Sequence, residues 1–362
     1  MVPGRLLRPF LRPPGVWAIS VLVAVTASAC QTPPANPAKP HHVPGGFRNN
    51  APHVSHGFLG LPRWRWDQLT KGIPPRPEGG YRFPIARNDP AALRENRSRT
   101  TLTWIGHASF LLQVNGVNIL TDPQFSERAS PFSWIGPRRV TAPGLAPEAL
   151  PPIEVVVISH NHYDHLDIDT VKFLHRRGAP GKGPRFFVPL GLKAWFAKAG
   201  ITDVVELDWW EKAEYRGLVF HSVPVQHFSA RTLFDRNETL WTGWVVATSS
   251  WKFFFAGDAG YSRDFQEIAR RLGPIDLAAL PIGAYEPRWF MQAMHLNPEE
   301  AVQAYLDLGS RRAVAMHWGT FDLTDEPPDE PPNRLGAALQ KAGIPSERFF
   351  LMQHGETRNL EP

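Results

Sequence analysis

A group of metal-ligand side chains stands in Ser159–His165, which reads Ser-His-Asn-His-Tyr-Asp-His. It directly follows Ile153–Ile158, whose three consecutive valines are typical of a buried strand. Functional sites in α/β folds commonly lie where a strand ends and a loop begins. Imidazole nitrogen and carboxylate oxygen suit zinc, with iron or manganese as weaker candidates. A lone H-x-H in a polar loop would mean little, but the spacing H-x-H-x-D-H predicts a metal centre.

Three further polar residues each follow a predicted strand: His227, Asp258 and His317. Singly, each could be a hydrogen-bonded core residue or a turn residue. Together with the first group they supply seven ligands, enough for two metals that share one carboxylate. The predicted ligands are His160, His162 and His227 at one metal, Asp164, His165 and His317 at the other, and Asp258 as the bridge.

The elements that must position these ligands are short strands followed by helices. Asn115-Gly116 between two apolar runs predicts a tight hairpin turn. Predicted helices include Ile168–Arg177, Leu190–Ala199 and Pro298–Leu308, the last opened by Asn297 as a cap. Strands dominate the first part of each half of the domain, and helices close it. This order predicts an α+β fold, a four-layer αββα sandwich.

The first thirty residues have the composition of an export signal. Three arginines precede the apolar stretch Val16–Ala29, which is too short to span a bilayer comfortably, since a spanning helix needs about 20 residues. Ala27–Cys30 resembles a lipobox, and Cys30 is the only cysteine. We predict a lipoprotein-type signal over residues 1–30 and a lipid-anchored protein on the periplasmic side of a bacterial envelope. An ordinary secretory signal cut near Ala29 is the alternative.

The rest of the chain divides by composition. Residues 31–55 are rich in proline and without hydrophobic period, which predicts a tether. Residues 56–99 are predicted to form an N-terminal arm packed on the main domain, which spans 100–362. Scattered histidines in these two segments could be metal ligands, but histidines in a loop are more often solvated, which is the prediction for His41, His42, His53 and His56. The net charge of +5 includes three arginines of the signal, so the remainder is too weakly basic to indicate nucleic-acid binding.

Two stretches carry residues whose role the sequence leaves open. Trp64 and Trp66 alternate with arginines, as in a patch that touches lipid headgroups or in an arm with buried tryptophans. The loop Phe125–Pro152 is longer than most loops in compact domains, which favours a functional role. Its Arg138 and Arg139 could meet an anionic substrate or could simply be solvated.

The order of these ligands resembles that of the metallo-β-lactamase superfamily of metal-dependent hydrolases. The flanking motifs are similar to one branch, the zinc-dependent phospholipases D that hydrolyse N-acyl phosphatidylethanolamine. The resemblance covers roughly Thr100 to His354. The motifs that carry it are Thr103–Ala108, Leu120–Pro123, Ile158–Asp167, Phe253–Tyr261, Pro281–Trp289 and Met316–Phe321.

The resemblance implies a two-zinc phosphodiesterase that cleaves membrane phospholipids by hydroxide attack on phosphorus. It also implies an active-site role for His295, beside Asp164 and Asp258 as catalytic positions. We expect Asp122 and His107 to hold the imidazoles of the ligands. Trp289 and Phe290 are expected to line an apolar approach for acyl chains.

Two other classes remain open from the sequence. One is a general metal-dependent hydrolase of lactones, esters or nucleotide phosphodiesters on the same scaffold. The other is a non-catalytic envelope lipoprotein that binds lipid or metal. The branch of zinc β-lactamases with a cysteine ligand is excluded, because Cys30 stands far from every predicted ligand.

Overall fold

Two seven-stranded mixed sheets build the molecule. The computed structural model describes residues 32–54, 56–178 and 183–360, so the predicted signal and Cys30 lie outside the described residues. Helices lie over the outer faces of both sheets, and the predicted αββα sandwich is confirmed.

The first sheet has six of the predicted ligand and supporting residues at its strand ends or in the following loops: His107, Asp122, His160, His162, Asp164 and His165. Its order is β16-β3-β4-β5-β6-β7-β8. The strands are β3 (Thr101–Gly106), β4 (Ser109–Val114), β5 (Val117–Thr121), β6 (Val155–Val157), β7 (Arg185–Pro189), β8 (Val204–Leu207) and β16 (Thr357–Asn359). The predicted hairpin turn joins β4 to β5, where Asn115 and Gly116 both have positive φ, at 50° and 72°.

The second sheet has the order β15-β14-β13-β12-β11-β10-β9. Its strands are β9 (Lys212–Tyr215), β10 (Leu218–Val223), β11 (Gly243–Ala247), β12 (Lys252–Phe255), β13 (Leu277–Pro281), β14 (Arg312–Met316) and β15 (Phe349–Phe350). Strands β12 to β15 run parallel, and β5 to β8 of the first sheet do so as well. Because parallel strands bring their carboxyl ends to one edge, both sheets can place polar residues at a shared rim.

Alternation along the strands separates two cores. Val155 and Val157 of β6 face the second sheet in the large central core, which includes Phe220 and Trp244. Val156, between them, faces the opposite way into a smaller core beneath the outer helices. Side chains two apart on a strand share a face, which is why this one strand feeds both layers.

The helices begin and end for local reasons. They are α1 (Gly57–Lys71), α2 (Pro90–Glu95), α3 (Ile168–Arg177), α4 (Lys193–Lys198), α5 (Asp264–Leu272), α6 (Arg288–Met291), α7 (Pro298–Leu308) and α8 (Glu330–Ala342). A capping box between Asn297 and Glu300 opens α7, as predicted. The helix predicted from Leu190 begins only at Lys193, because Gly191 has a φ of 90° and cannot belong to a helix. None of the described helices is both long and apolar enough to cross a bilayer.

The N-terminal segment differs from the predicted tether. A hairpin of β1 (His42–Val43) and β2 (Gly46–Phe47) packs on the domain, and Phe47 is buried in the central core. Lys39 pairs with Asp208 at 2.6 Å. Composition alone indicated a solvated linker, but the segment has one aromatic side chain and several charged or amide groups that find partners. From residue 39 onward it is part of the folded molecule.

Candidate metal centre

Every predicted ligand lies at the rim where strands of the two sheets end. The loop with His160 and His165 follows β6, His227 follows β10, Asp258 follows β12 and His317 follows β14. Aliphatic and aromatic residues keep these strands in the core, and the first residues past them point polar groups to one place. The structure therefore brings all seven predicted ligands together.

The first cluster consists of His160, His162, His227 and Asp258. The Nε2 atom of His160 lies 2.7 Å from Nδ1 of His162, which lies 3.3 Å from Nε2 of His227. Oδ2 of Asp258 is 3.8 Å from the His160 nitrogen and 3.6 Å from that of His227.

The second cluster contains Asp164, His165 and His317, with His107 beside them. The Nε2 atoms of His165 and His317 are 3.3 Å apart, and each lies 3.5 Å from Oδ2 of Asp164. Asp258 reaches this cluster too, at 3.1 Å from His165 and 3.0 Å from His317. Among the described residues, Asp258 is thus the one carboxylate that contacts both clusters, in the place predicted for a bridge.

These separations fit metal ions. Four ligands at the usual Zn–N and Zn–O distances in a tetrahedron lie about 3.3 Å from one another. The second cluster ranges from 3.0 to 3.5 Å and the first from 2.7 to 3.8 Å around that value. Oδ1 of Asp258 and Nδ1 of His295 are also buried without a hydrogen-bond partner among the described residues. Nitrogen and oxygen donors of this kind suit zinc, iron or manganese.

Burial lowers the pKa of histidine ligands in both clusters, but at His317 nearby carboxylates outweigh it. Burial lowers the pKa of His162 to about 4 and that of His160 well below its usual value. Burial opposes protonation of His317 too, but Asp258 and Asp164 outweigh it and raise its pKa to about 9. Neutral imidazole is the form that binds metal, so binding at the second cluster would have to displace a proton from His317.

Groups outside the clusters hold the ligands in place. Asp122 is fully buried, and its Oδ2 lies 2.7 Å from Nδ1 of His165, which leaves Nε2 of that ring facing the cluster. The predicted support of an imidazole by Asp122 thus has the expected geometry. His107 differs from the prediction, since its Nε2 lies 2.9 Å from Oδ2 of Asp164 and so contacts a carboxylate. The strand motif before His107 carried no signal for which ligand it would meet.

Arg231 is a supporting residue that sequence reasoning missed. Its guanidinium donates to the carbonyl of Asn161 at 2.7 Å and to that of Leu166 at 2.8 Å, spanning the ligand loop. Tyr163 returns a hydrogen bond to the carbonyl of Arg231 at 3.0 Å. These contacts fix the loop that carries four ligands against the segment that follows His227.

His295 lies between the clusters. Its Nδ1 is 4.0 Å from Oδ2 of Asp258, and its ring centroid is 5.3 Å from that of His227 and 5.5 Å from that of His317. Burial lowers the pKa of His295 to about 4, so the imidazole is neutral at neutral pH. A neutral imidazole at this position can orient a ligand oxygen over the centre.

A cavity of about 460 Å³ opens above the clusters. Its floor includes His162, Asp164, Asp258 and His295. Its walls are mainly apolar and come from α1, α6 and two loops: Leu61, Trp64, Phe228, Leu233, Phe290, Met291, Met294 and Leu323. The expectation for Phe290 therefore has the predicted geometry, whereas Trp289 is not among the lining residues and stacks beneath Arg63 at 4.2 Å.

The structure decides between the alternative roles that the sequence left open for two tryptophans and two arginines. Trp64 is 7% exposed and Trp66 is 66% exposed, so the first belongs to a packed arm and the second to the surface. Neither Arg138 nor Arg139 lines the cavity. Arg138 pairs loosely with Glu127, and Arg139 braces its own loop through the carbonyl of Ser126. A contact of these arginines with substrate is not supported.

Three of the four N-terminal histidines are not simply solvated. His41 and His42 both pair with Asp208, at 2.7 and 2.8 Å. His56 lines the cavity. The prediction of solvation was wrong for these residues, because it considered the segment without the partners that the fold brings to it.

Comparison with known proteins identifies the family of the chain. The family model of the beta-lactamase superfamily domain matches residues 117–318. The chain is 39% identical over 339 residues to an uncharacterized protein of Mycobacterium tuberculosis, covering 90% of this chain and 88% of that protein. It is 43% identical over 266 residues to an N-acyl-phosphatidylethanolamine-hydrolyzing phospholipase D of Caenorhabditis elegans, covering 70% and 74%.

A solved structure shows the same fold. It is that of a metallo hydrolase from the archaeon Ignicoccus hospitalis, with a TM-score of 0.55 over 73% of this chain and all of that chain, at 23% identity. The chain therefore belongs to the metallo-β-lactamase superfamily, and it is a metal-dependent hydrolase. The resemblance to the phospholipase D branch, expected from the flanking motifs, is confirmed in sequence.

Proposed function

We propose that the protein is a phosphodiesterase of the phospholipase D type that acts on membrane phospholipids related to N-acyl phosphatidylethanolamine, with two zinc ions. The observation that carries this proposal is the junction of a two-cluster centre with an apolar cavity. His162 and Asp164 stand at the floor of the same cavity whose walls include Trp64 and Phe290. A polar reaction centre under an apolar wall suits a phosphate that carries acyl chains.

The mouth of the cavity supports a lipid more than a small soluble ester. Val54 and Leu233 line it and are 70% and 65% exposed, and the neighbouring Phe234 is 87% exposed. Clustered exposed apolar side chains mark surfaces that contact lipid or another partner. The relatives that hydrolyse N-acyl phosphatidylethanolamine point in the same direction.

Arg236 adds a positive charge to this cavity. Its Cζ lies 4.0 Å from the ring centroid of Phe228, which is itself 4.4 Å from the ring of His162. Arg236 forms no ion pair with any of the described residues, and it lines the cavity. A guanidinium with free donors favours an anionic ligand such as a phosphodiester.

The chain's own residues supply binding and orientation. When bound, two metal ions would lower the pKa of water and stabilise negative charge on phosphate oxygens. Asp258 would bind both ions and fix their separation, and Asp122 would keep His165 in the tautomer whose Nε2 faces the centre. His295 would hold a phosphate oxygen in line for attack. Phe290 and Leu61 would exclude bulk water on the side of the acyl chains.

The experiment is a lipid panel with the purified full chain. Vesicles containing N-acyl phosphatidylethanolamine, phosphatidylethanolamine, phosphatidylcholine or phosphatidylglycerol are incubated with the zinc-loaded protein, and products are identified by mass spectrometry. We expect phosphatidic acid and the free head group. The matched controls are His317→Ala, expected to be inactive, and His221→Ala on β10, which belongs to neither cluster.

Other outcomes assign other functions. If the two-metal protein leaves every phospholipid intact but opens lactones, esters or nucleotide diesters, the general hydrolase replaces this proposal. If the protein binds lipid or metal without any turnover, it is a non-catalytic lipoprotein and the proposal of a phosphodiesterase is wrong.

We also propose that Cys30 is lipidated and anchors the chain on the periplasmic side of a bacterial envelope. The support is the sequence of residues 1–30, with its arginines, apolar stretch and lone cysteine. Cys30→Ala should move the protein from the membrane fraction to the soluble periplasm, as shown by cell fractionation. A wild-type protein that is already soluble contradicts the anchor.

A further inference from the structure

The N-terminal segment reaches the metal centre. We call residues 39–50 the N-terminal clamp. Its hairpin fits against the loop after His227, where the amide of Phe47 donates to the carbonyl of Asn237 at 2.9 Å. Gly46 permits this approach, since a Cβ there would stand 2.1 Å from the Asn237 oxygen. Only glycine fits so close to another backbone.

The outer end of the clamp is fixed by a buried carboxylate. Asp208 is only 1% exposed and receives Lys39, His41 and His42 at 2.6 to 2.8 Å. Charge-assisted contacts of this length are among the stronger polar interactions. The clamp is therefore held by a residue that lies 169 positions after Lys39 in the sequence.

The inner end of the clamp holds a predicted ligand. Asn49 is 8% exposed, and its Nδ2 donates to the carbonyl of His227 at 2.8 Å. Its Oδ1 accepts from the amide of His227 at 3.1 Å and from Nε1 of Trp241 at 3.1 Å. One side chain thus satisfies both backbone groups of His227. The ring of His227 is fixed separately, by its Nδ1 against the carbonyl of Met294 at 2.8 Å.

We infer that Asn49 is a positioning residue for the first cluster, so that metal affinity there depends on the N-terminal clamp. Without Asn49, two buried backbone groups of His227 lose their partner, and the backbone can move. His227 Nε2, now 3.3 Å from His162 Nδ1, would then lose its fixed place. The inference rests on the proposed ligand role of His227 but not on the identity of the substrate.

The chain offers a matched control one residue away. Asn50 belongs to the same clamp, and its Nδ2 donates to Oδ1 of Asp264 at 2.8 Å. Asn49→Ala and Asn50→Ala each remove one amide side chain of the clamp. The first loses the contacts with His227 and Trp241, and the second loses the contact with Asp264. If the role of the clamp were purely structural, any loss of zinc affinity would follow the loss of Tm in both variants.

The test measures metal affinity rather than turnover. The full chain is stripped of metal and titrated with zinc against a chromogenic chelator, for wild type, Asn49→Ala and Asn50→Ala. We expect Asn49→Ala to weaken one of two sites by roughly 10–100-fold, the usual effect of removing a group that supports a ligand. Asn50→Ala should leave both sites within about twofold and lower Tm less than Asn49→Ala does, because Asn50 is exposed.

A second variant and a second readout keep the test decisive. Asn49→Asp retains the shape and the acceptor but places a carboxylate against the His227 carbonyl, so it should weaken the same site. In the metal-free protein, hydrogen exchange at the His227 amide should speed up in Asn49→Ala and not in Asn50→Ala. Hydrogen exchange at this amide tests the role of Asn49 whether or not the protein cleaves a phospholipid. Failure of the proposed function and failure of this inference can therefore be told apart.

Two results overturn the inference. Unchanged zinc affinities in both Asn49 variants would show that Asn49 does not position the first cluster. Equal weakening in Asn49→Ala and Asn50→Ala would show that general docking of the clamp, and not its contact with His227, matters.

Discussion

The two clusters meet at Asp258 but are supported in different ways. In the second cluster, His165 and Asp164 contact ionisable neighbours from the same sheet, Asp122 after β5 and His107 after β3. In the first cluster, His227 is held by neutral groups from distant parts of the chain, Asn49 and the carbonyl of Met294. Local support is present once one sheet has formed. Distant support requires the whole molecule, so we expect the first cluster to be the more easily disturbed.

The largest effect should come from the residue that the clusters share. Asp258→Ala removes a contact to His165 and His317 on one side and to His227 on the other. We expect loss of both metals and of turnover, beyond the roughly 10–100-fold effect of a supporting residue. Metal content by mass spectrometry checks this, with Asp203→Ala on the surface as control. Retention of one full metal would show that the carboxylate is not shared.

Removing one ligand from each cluster should separate them. His227→Ala is expected to leave one metal in the second cluster, and His317→Ala to leave one in the first. Both variants should lose turnover while circular dichroism stays that of a folded protein, since each loses a single side chain at the rim. If either variant loses both metals, the clusters bind cooperatively and the comparison between them does not hold.

Asp122→Asn tests the charged support. The substitution keeps the size of the side chain but removes the carboxylate 2.7 Å from Nδ1 of His165. We expect roughly 10–100-fold weaker metal binding at the second cluster. The first cluster should change less, because Asp122 reaches His160 only through the hydroxyl of Ser159. A zinc titration resolves the two sites, and a larger loss at the first would reverse the comparison.

The smallest effect is expected from Thr320→Val. Its Oγ1 accepts the amide of His107 at 2.7 Å, and the carbonyl of His107 also receives Nε1 of Trp104 and the amide of His317. The substitution also removes the contacts of this hydroxyl with Nε2 of His354 and the carbonyl of Trp318. We expect it to cost at least about 1–3 kcal/mol of unfolding free energy, because buried polar groups lose a partner. Metal affinity should fall less than tenfold because the other contacts remain. Denaturant unfolding and zinc titration measure the two quantities separately.

The metal-binding rim was predictable because its signals are local. An apolar run such as Ile153–Ile158 predicts a strand, and the polar residues that end it must then lie at the sheet's edge. The same reasoning found His227, Asp258 and His317 one strand at a time. Asn115-Gly116 carried its turn conformation in two residues, whose positive φ values the structure shows.

What the sequence could not predict depends on contacts between distant residues. Asn49 lies 178 residues from His227, in a stretch whose proline-rich composition indicated a linker. Its contacts are with the backbone of His227 and with Trp241, which come close to it only after folding. Likewise, the contact of His107 with Asp164 joins residues 57 apart, and His107 has a φ of 54° that the sequence before it did not indicate.

The docked hairpin also limits how far the enzyme can stand from an anchor. If the chain is held by a lipid at Cys30, the free spacer ends by Lys39, which is already bonded to Asp208. That stretch of nine residues extends at most about 30 Å. Such a spacer would keep the surface around Lys39 within about 30 Å of the membrane that holds the anchor.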